Sequence, residues 1–364
     1  MEPYLIILFL LMVSSIFDVV KVKQKDLFFI FNFFFVFCLA TFRYRLGSDY
    51  LQYENLFSLA LPIDEISFYY LENNPHNIEY GYLILESLIK YFSNDFAIFV
   101  LFYNLLLFLF IYKGISISNN KNVQLLLIYC FWFLIYIIEA YRQAMAMAII
   151  FCAFKYIYNG RFYIYLIMCL FASLFHSIAL LPIALYPIIN RKITNKIWVI
   201  VFLSILLINY LNLIPKVISF LNDNLDIKFI KRVHYYFFIK EKPTNSISIL
   251  AYVQRIILIA IVLVFYNKVD YRYSNVMLIY PFLYFLFIDV GVLAARIAGI
   301  YLIAYGIYFS HLFNKLNNIY TKLFLVLYLL LYSGMIFYKD LHGTHPILGH
   351  DVYLPYKTIF WDRN

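Results

Sequence analysis

The chain has 364 residues, 65% of them hydrophobic, 22% aromatic and 13% charged, with a net charge of +9. A soluble domain carries about a quarter charged residues and under half apolar ones, so this balance excludes a water-soluble enzyme, a disordered chain and a nucleic-acid-binding module. The mean hydropathy of +0.80 describes an all-α polytopic membrane protein whose main partner is the lipid bilayer, read as one integral domain over 1–364.

A bilayer core of about 30 Å needs roughly 20 apolar residues per helix. Apolar runs lie at 3–20, 26–41, 97–112, 123–139, 143–158, 162–175, 177–190, 197–214, 249–266, 274–290, 296–312 and 321–338. They predict about twelve transmembrane helices, several of them short. Pro182 and Pro187 make 177–190 a candidate broken or re-entrant helix. The first run ends in Lys21, Lys23 and Lys25, the reverse of a signal peptide's charge order, so no cleavable signal is expected. Cys38, Cys130, Cys152 and Cys169 sit in apolar stretches without paired spacing and read as core residues.

Basic residues in short loops fix sidedness. Lys21 to Lys25, Lys113 with Lys121, Arg161, Arg191 to Lys196, Lys268 with Arg272, and Lys315 with Lys322 mark every second loop as cytoplasmic. Both termini then face outward, with two long outer segments at 42–96 and 215–248 and a tail at 339–364. Within the first segment, residues 78–92 alternate apolar side chains with Glu79, Glu86 and Lys90 at helical spacing, which predicts a helix at the outer membrane face.

Charged groups cost about 2.5–3.5 kcal/mol at the centre of a membrane helix and usually face a bundle interior or a substrate path. Four clusters stand out, all near the outer face. Arg43, Arg45, Gly47, Asp49, Tyr50 and Tyr53 form either a cationic pocket edged by an acid or an interfacial anchor. Glu139, Arg142 and Gln143 form either a site or a self-neutralising Glu139–Arg142 pair three residues apart. His176 is a proton-transfer candidate or a hydrogen-bonded interface residue. Arg296, among small neighbours, is a ligand contact or the partner of Asp289. In the tail, His342, His345, His350 and Asp351 fit no standard zinc spacing, so no metal or other cofactor is expected.

Arginine suits phosphate because its planar fork makes paired charge-assisted bonds and keeps its charge in low dielectric. Several arginines beside a tyrosine-rich outer segment suit a lipid-linked pyrophosphate carrying sugar. In glycosyl transfer they would stabilise charge developing on the departing diphosphate, while a His or Asp takes the proton from the attacking hydroxyl.

Phe42-Arg43, then Gly47-Ser48-Asp49-Tyr50 and Tyr53, resemble the opening signature of EpsG-like exopolysaccharide polymerases, relatives of the Wzy-type O-antigen polymerases. Glu79-Tyr80-Gly81-Tyr82, Tyr141-Arg142-Gln143 with Ala146, His176-Ser177 with Pro182, Arg296 with Tyr301, and Leu354-Pro355-Tyr356 resemble later family segments, in family order. Phe175 stands where members often carry a second His. The resemblance implies a metal-independent polymerase of the bacterial inner membrane. It would transfer the growing glycan from undecaprenyl pyrophosphate to the non-reducing end of a new lipid-linked repeat unit, on the periplasmic face and with a chain-length regulator as partner. Carried over, Arg142 and Arg296 bind pyrophosphate with Arg43 assisting, and Tyr53 and Gln143 join the substrate site, to which the charged clusters themselves add Arg45 and Glu139. Asp49 and Glu79 position hydroxyls, and His176 is the base, with Asp49 or Glu139 as fallback. Competing readings are a single-sugar transferase with a polyprenyl donor, a lipid-linked oligosaccharide flippase and, behind these, a glycan acyltransferase.

Overall fold

A computed structural model describes the chain apart from residues 75–77, 236–237, 239–248, 344–350 and 363–364. Among the described residues the secondary structure is helical, with no strand beyond a single bridge. The helices are α1 Glu2–Val20, α2 Lys25–Thr41, α3 Tyr50–Leu59, α4 Phe68–Asn73, α5 Tyr80–Phe92, α6 Phe96–Ile115, α7 Lys121–Ile128, α8 Tyr141–Tyr158 and α9 Phe162–Ser173. They continue as α10 Leu181–Ile189, α11 Asn195–Tyr210, α12 Leu213–Asn224, α13 Lys228–Tyr235, α14 Ile249–Phe265, α15 Tyr271–Leu286, α16 Gly291–Gly299, α17 Ala304–Lys315 and α18 Ile319–Leu341. Two compact units emerge: one from Met1–Ala184 with Phe309–Asn364, the other from Leu185–Tyr308.

Among the described residues, length and composition give four helices able to cross a bilayer, or up to six if two bent pairs each count as one span. That falls short of the expected twelve. The reason is helix length: α9 has 12 residues and so extends only about 18 Å at a rise of 1.5 Å per residue. The 177–190 run begins as a 3₁₀ turn at Ser177–Leu180 and continues as α10 with Pro187 inside it.

The first unit carries the signature of a chain dissolved in lipid. Large apolar side chains such as Ile6, Phe9, Leu27, Ile30 and Phe34 face outward, while Ser14, Ser15, Asp18, Asn32 and Asn104 are buried. Buried polar groups need partners. Asp18 accepts from the backbone amides of Asn122 and Val123 at 2.7 and 3.1 Å and lies 3.9 Å from Lys25 Nζ, so it caps the start of α7. From Tyr129 to Glu139 the helix begun as α7 widens to π geometry, a wind that often accompanies functional positions. It stops at Ala140 (φ −106°, ψ 67°), and α8 starts one residue later.

In the second unit Asn275 bonds the carbonyls of Ile188, Ile189 and Arg191. Arg255, a lone cation within the predicted 249–266 span, belongs to none of the four charged clusters. Its guanidinium sits 3.4 Å from the Tyr284 ring centre and donates to Ala251 O at 2.8 Å and Tyr280 Oη at 3.2 Å.

Candidate active site

The break at Ala140 sets the geometry of the first unit's charged cluster. Glu139 and Arg142 flank the break, so the continuous turn that would pair them at i, i+3 is absent. The two side chains instead take separate partners.

Glu139 turns to the loop after α2. One carboxylate oxygen accepts from Ser48 N at 2.9 Å, the other from Ser48 Oγ at 2.7 Å and Asp49 N at 3.1 Å, and the Tyr353 hydroxyl donates to the same group. These bonds fill most of a carboxylate's acceptor sites and fasten the head of α3. Gly47 makes the approach possible: its φ is +97°, and a Cβ there would lie 3.2 Å from Ile138 and 3.3 Å from the Glu139 carboxyl carbon. Asp49, half-buried, occupies the N-cap position of α3.

Arg142 Nη1 meets Glu79 Oε2 at 2.5 Å, and both side chains keep partial exposure, 28% and 22%. Tyr53 is also hydrogen-bonded to Arg142. The Tyr53 ring stacks on Tyr141 at 4.4 Å and 5°, and Tyr141 stacks on Tyr103 at 4.9 Å. Burial pushes the Tyr53 phenol up to about 12, with Arg142 opposing the shift. The result is a column of three aromatic rings with a partly exposed guanidinium at its Tyr53 end.

Arg43 stands on the other flank of that column. It is 1% exposed and donates to Ala40 O, to Tyr141 Oη and, at 3.3 Å, to Ile138 O. Its guanidinium carbon is 5.1 Å from the Tyr141 ring centre. These contacts assign it to holding Tyr141 in place from inside the protein. Arg45 is outward, 3.3 Å from Glu54. Gln143 is buried in the first turn of α8.

His176 comes near through backbone contact. Gly81 N donates to Leu174 O at 2.7 Å, and a Cβ on Gly81 would lie 2.8 Å from that oxygen, so only glycine lets the 174–176 turn dock beside Glu79. His176 Nδ1 accepts from Ile178 N at 3.3 Å, which leaves the neutral ring's proton on Nε2. Arg296 belongs to the second unit, exposed on α16, with Asp289 exposed in the turn before it.

Two features were not anticipated. The tail lies across the 42–47 segment: Ile359 N donates to Phe42 O at 3.0 Å, Tyr44 N to Lys357 O at 3.0 Å and Gly47 N to Val352 O at 3.2 Å. His345 and His350 lie outside the described residues, and no group of three His, Cys, Asp or Glu that could hold a metal occurs among the described ones. The second feature is Glu86, two turns along α5 from Glu79. It is 1% exposed, with Oε1 unbonded and the buried Tyr82 hydroxyl nearby. Burial raises its pKa to about 8, against the pull of Tyr82, Arg142 and Lys90.

A raised folded-state pKa stabilises the fold at low pH and withdraws that contribution as pH climbs through about 8. The Tm of the solubilised wild type is therefore expected to fall between pH 5 and pH 8, and that of the Glu86→Gln variant to fall less. Parallel curves for the two proteins would contradict the assignment.

The sequence matches the EpsG family over residues 26–358. The chain belongs to the EpsG family. EpsG proteins are Wzy-like polysaccharide polymerases, so the chain is a glycosyltransferase-like membrane polymerase. No curated protein and no solved structure matches it. The match runs from α2 through the tail segment at Thr358, taking in both the arginine-bearing elements and the strip of tail that packs on them.

Proposed function

We propose that this EpsG-family chain extends a polysaccharide by joining undecaprenyl-pyrophosphate-linked oligosaccharide units at the periplasmic face of a bacterial inner membrane. The observation that carries the reading is Arg142: a guanidinium held by one carboxylate and one phenol, partly exposed at the end of an aromatic column. In the reaction the bond between the growing chain's anomeric carbon and the diphosphate oxygen breaks. A new glycosidic bond forms to a hydroxyl at the non-reducing end of the incoming unit. Undecaprenyl pyrophosphate leaves, and the hydroxyl proton passes to a base.

Arg142 binds the diphosphate, exchanging its contact with Glu79 for the stronger fork-to-phosphate pairing and stabilising the charge that develops on the leaving group. Glu79, released from that pair, and Tyr53 hold sugar hydroxyls. Asp49 is the proton acceptor, since His176 with its proton on Nε2 offers a donor. Arg296 is kept as a diphosphate-binding residue of the second unit, and the chemistry as proposed uses no metal. Twelve spans with outward termini, the two outer segments and a chain-length regulator remain part of this reading.

A strain lacking the chain tests it. The expected result is accumulation of single-repeat lipid-linked material on the outer side, converted by the restored wild type into a ladder of repeat multiples. Accumulation on the inner side would instead mark a flippase. A ladder whose units each lack one sugar would mark a single-sugar transferase.

A further inference from the structure

A cavity of about 220 Å³ opens on the side of α3 facing the turn between α5 and α6. α3 explains its position: Tyr53 is turned to Arg142, while Tyr50, Glu54 and Phe57, spaced four and then three residues apart, share the helix face that lines the cavity. Tyr50 and Phe96 meet edge to face at 5.2 Å and form one wall, and Tyr44 and the tail residue Ile359 close another. Lys90 is propped over the Phe57 ring at 4.9 Å and donates to the carbonyls of Phe57 and Ser58 at 3.1 and 3.2 Å. The exposed Asn94 and the half-buried Glu54 supply an amide and a carboxylate at the edge.

This lining selects a ligand class. The part-exposed Tyr44 ring matches the C–H face of a pyranose ring, while Tyr50, Phe57 and Phe96 are buried, and an amide, a carboxylate and an ammonium match the sugar's hydroxyls. A diphosphate is disfavoured, because Glu54 and Asp95 contribute negative charge and Lys90 already gives bonds to two carbonyls. An acyl chain would leave those polar groups unsatisfied. The volume is below the about 300–1,000 Å³ of sites for drug-sized ligands, which suits one ring. The cavity also adjoins the arginine cluster: the Tyr50 ring centre lies 5.9 Å from the Arg43 guanidinium carbon, and Glu54 lies 3.3 Å from Arg45.

We infer that this cavity is a subsite for one uncharged pyranose ring of the oligosaccharide whose diphosphate Arg142 holds, an inference that rests on the polymerase reading above. Neutral and acetamido sugars fit it.

The test uses the purified full chain in nanodiscs and two probes. One is the phosphate-free repeat oligosaccharide released by mild acid from the host's lipid carrier, followed by saturation-transfer NMR. The other is farnesyl diphosphate. The Tyr44→Ala/Asn94→Ala double variant is expected to bind the oligosaccharide about tenfold more weakly, the scale of losing one hydrogen bond and one stacking face, and to bind farnesyl diphosphate as the wild type does. Should the double variant lose both probes, Asn94→Ala alone decides, since that side chain is exposed. Unchanged oligosaccharide binding, or none by the wild type, would overturn the subsite. Arg142→Ala separates this from the polymerase reading: farnesyl diphosphate bound normally by that variant would refute the diphosphate role while leaving the subsite standing.

Discussion

Arg142→Ala is expected to abolish the polysaccharide ladder while the protein accumulates at its normal level. The side chain is partly exposed, and its carboxylate partner Glu79 keeps access to water, so removal strands no buried charge and costs the fold about 1–3 kcal/mol through the Tyr53 phenol that loses its partner. Chemistry loses much more. One donor aimed at charge developing in a transition state is worth about 10²- to 10³-fold in rate, and a bidentate contact to phosphate adds binding on top. Arg142→Lys restores the charge without the fork and is expected to give a short, faint ladder. A full-length ladder from Arg142→Ala at normal protein level would remove Arg142 from the site.

Arg43→Ala is expected to fail in the opposite manner, through stability. Arg43 is buried and satisfies Ala40 O, Ile138 O and Tyr141 Oη. Each hydrogen bond to a charged group is worth about 1.5–3 kcal/mol, and stranded buried acceptors add their desolvation cost. The loss is a large share of a typical total of about 5–15 kcal/mol. Protein level and Tm should fall sharply, and lysine should rescue poorly because it cannot reach three acceptors as a planar fork. A variant with wild-type Tm that has lost only activity would return Arg43 to direct contact with substrate. The contrast between the two arginines is the informative part, since one sequence reading covered both.

What the sequence made legible follows from periodicity and from the cost of charge in lipid. The helix expected over 78–92 forms as Tyr80–Phe92, and the break expected between the fourth and fifth apolar runs falls at Ala140. Partner choice was not legible. Glu139 and Arg142 look like a pair at i, i+3, but that spacing brings side chains together only in an unbroken helix, and Ala140 interrupts it. The role of the tail was hidden because 351–362 has no regular structure to predict; it is ordered by bonds to 42–47, more than 300 positions away along the chain. Glu86 was visible as a charge on α5, yet its burial depends on Tyr82 and on packing that no local pattern encodes. Among the described residues four apolar helices, or six counting bent pairs, reach spanning length, against twelve apolar runs marked by composition alone. Turns such as Ser177–Leu180 then cut into them.

The most direct test of the central claim is a single-component reaction. The purified chain, reconstituted in proteoliposomes, is given only the undecaprenyl-pyrophosphate-linked repeat unit, and glycan products and free undecaprenyl pyrophosphate are quantified together. The account predicts a ladder of repeat multiples with one free carrier released per new linkage, both absent with Arg142→Ala. Consumption of the substrate without a ladder, or a ladder equally abundant with Arg142→Ala, would contradict it.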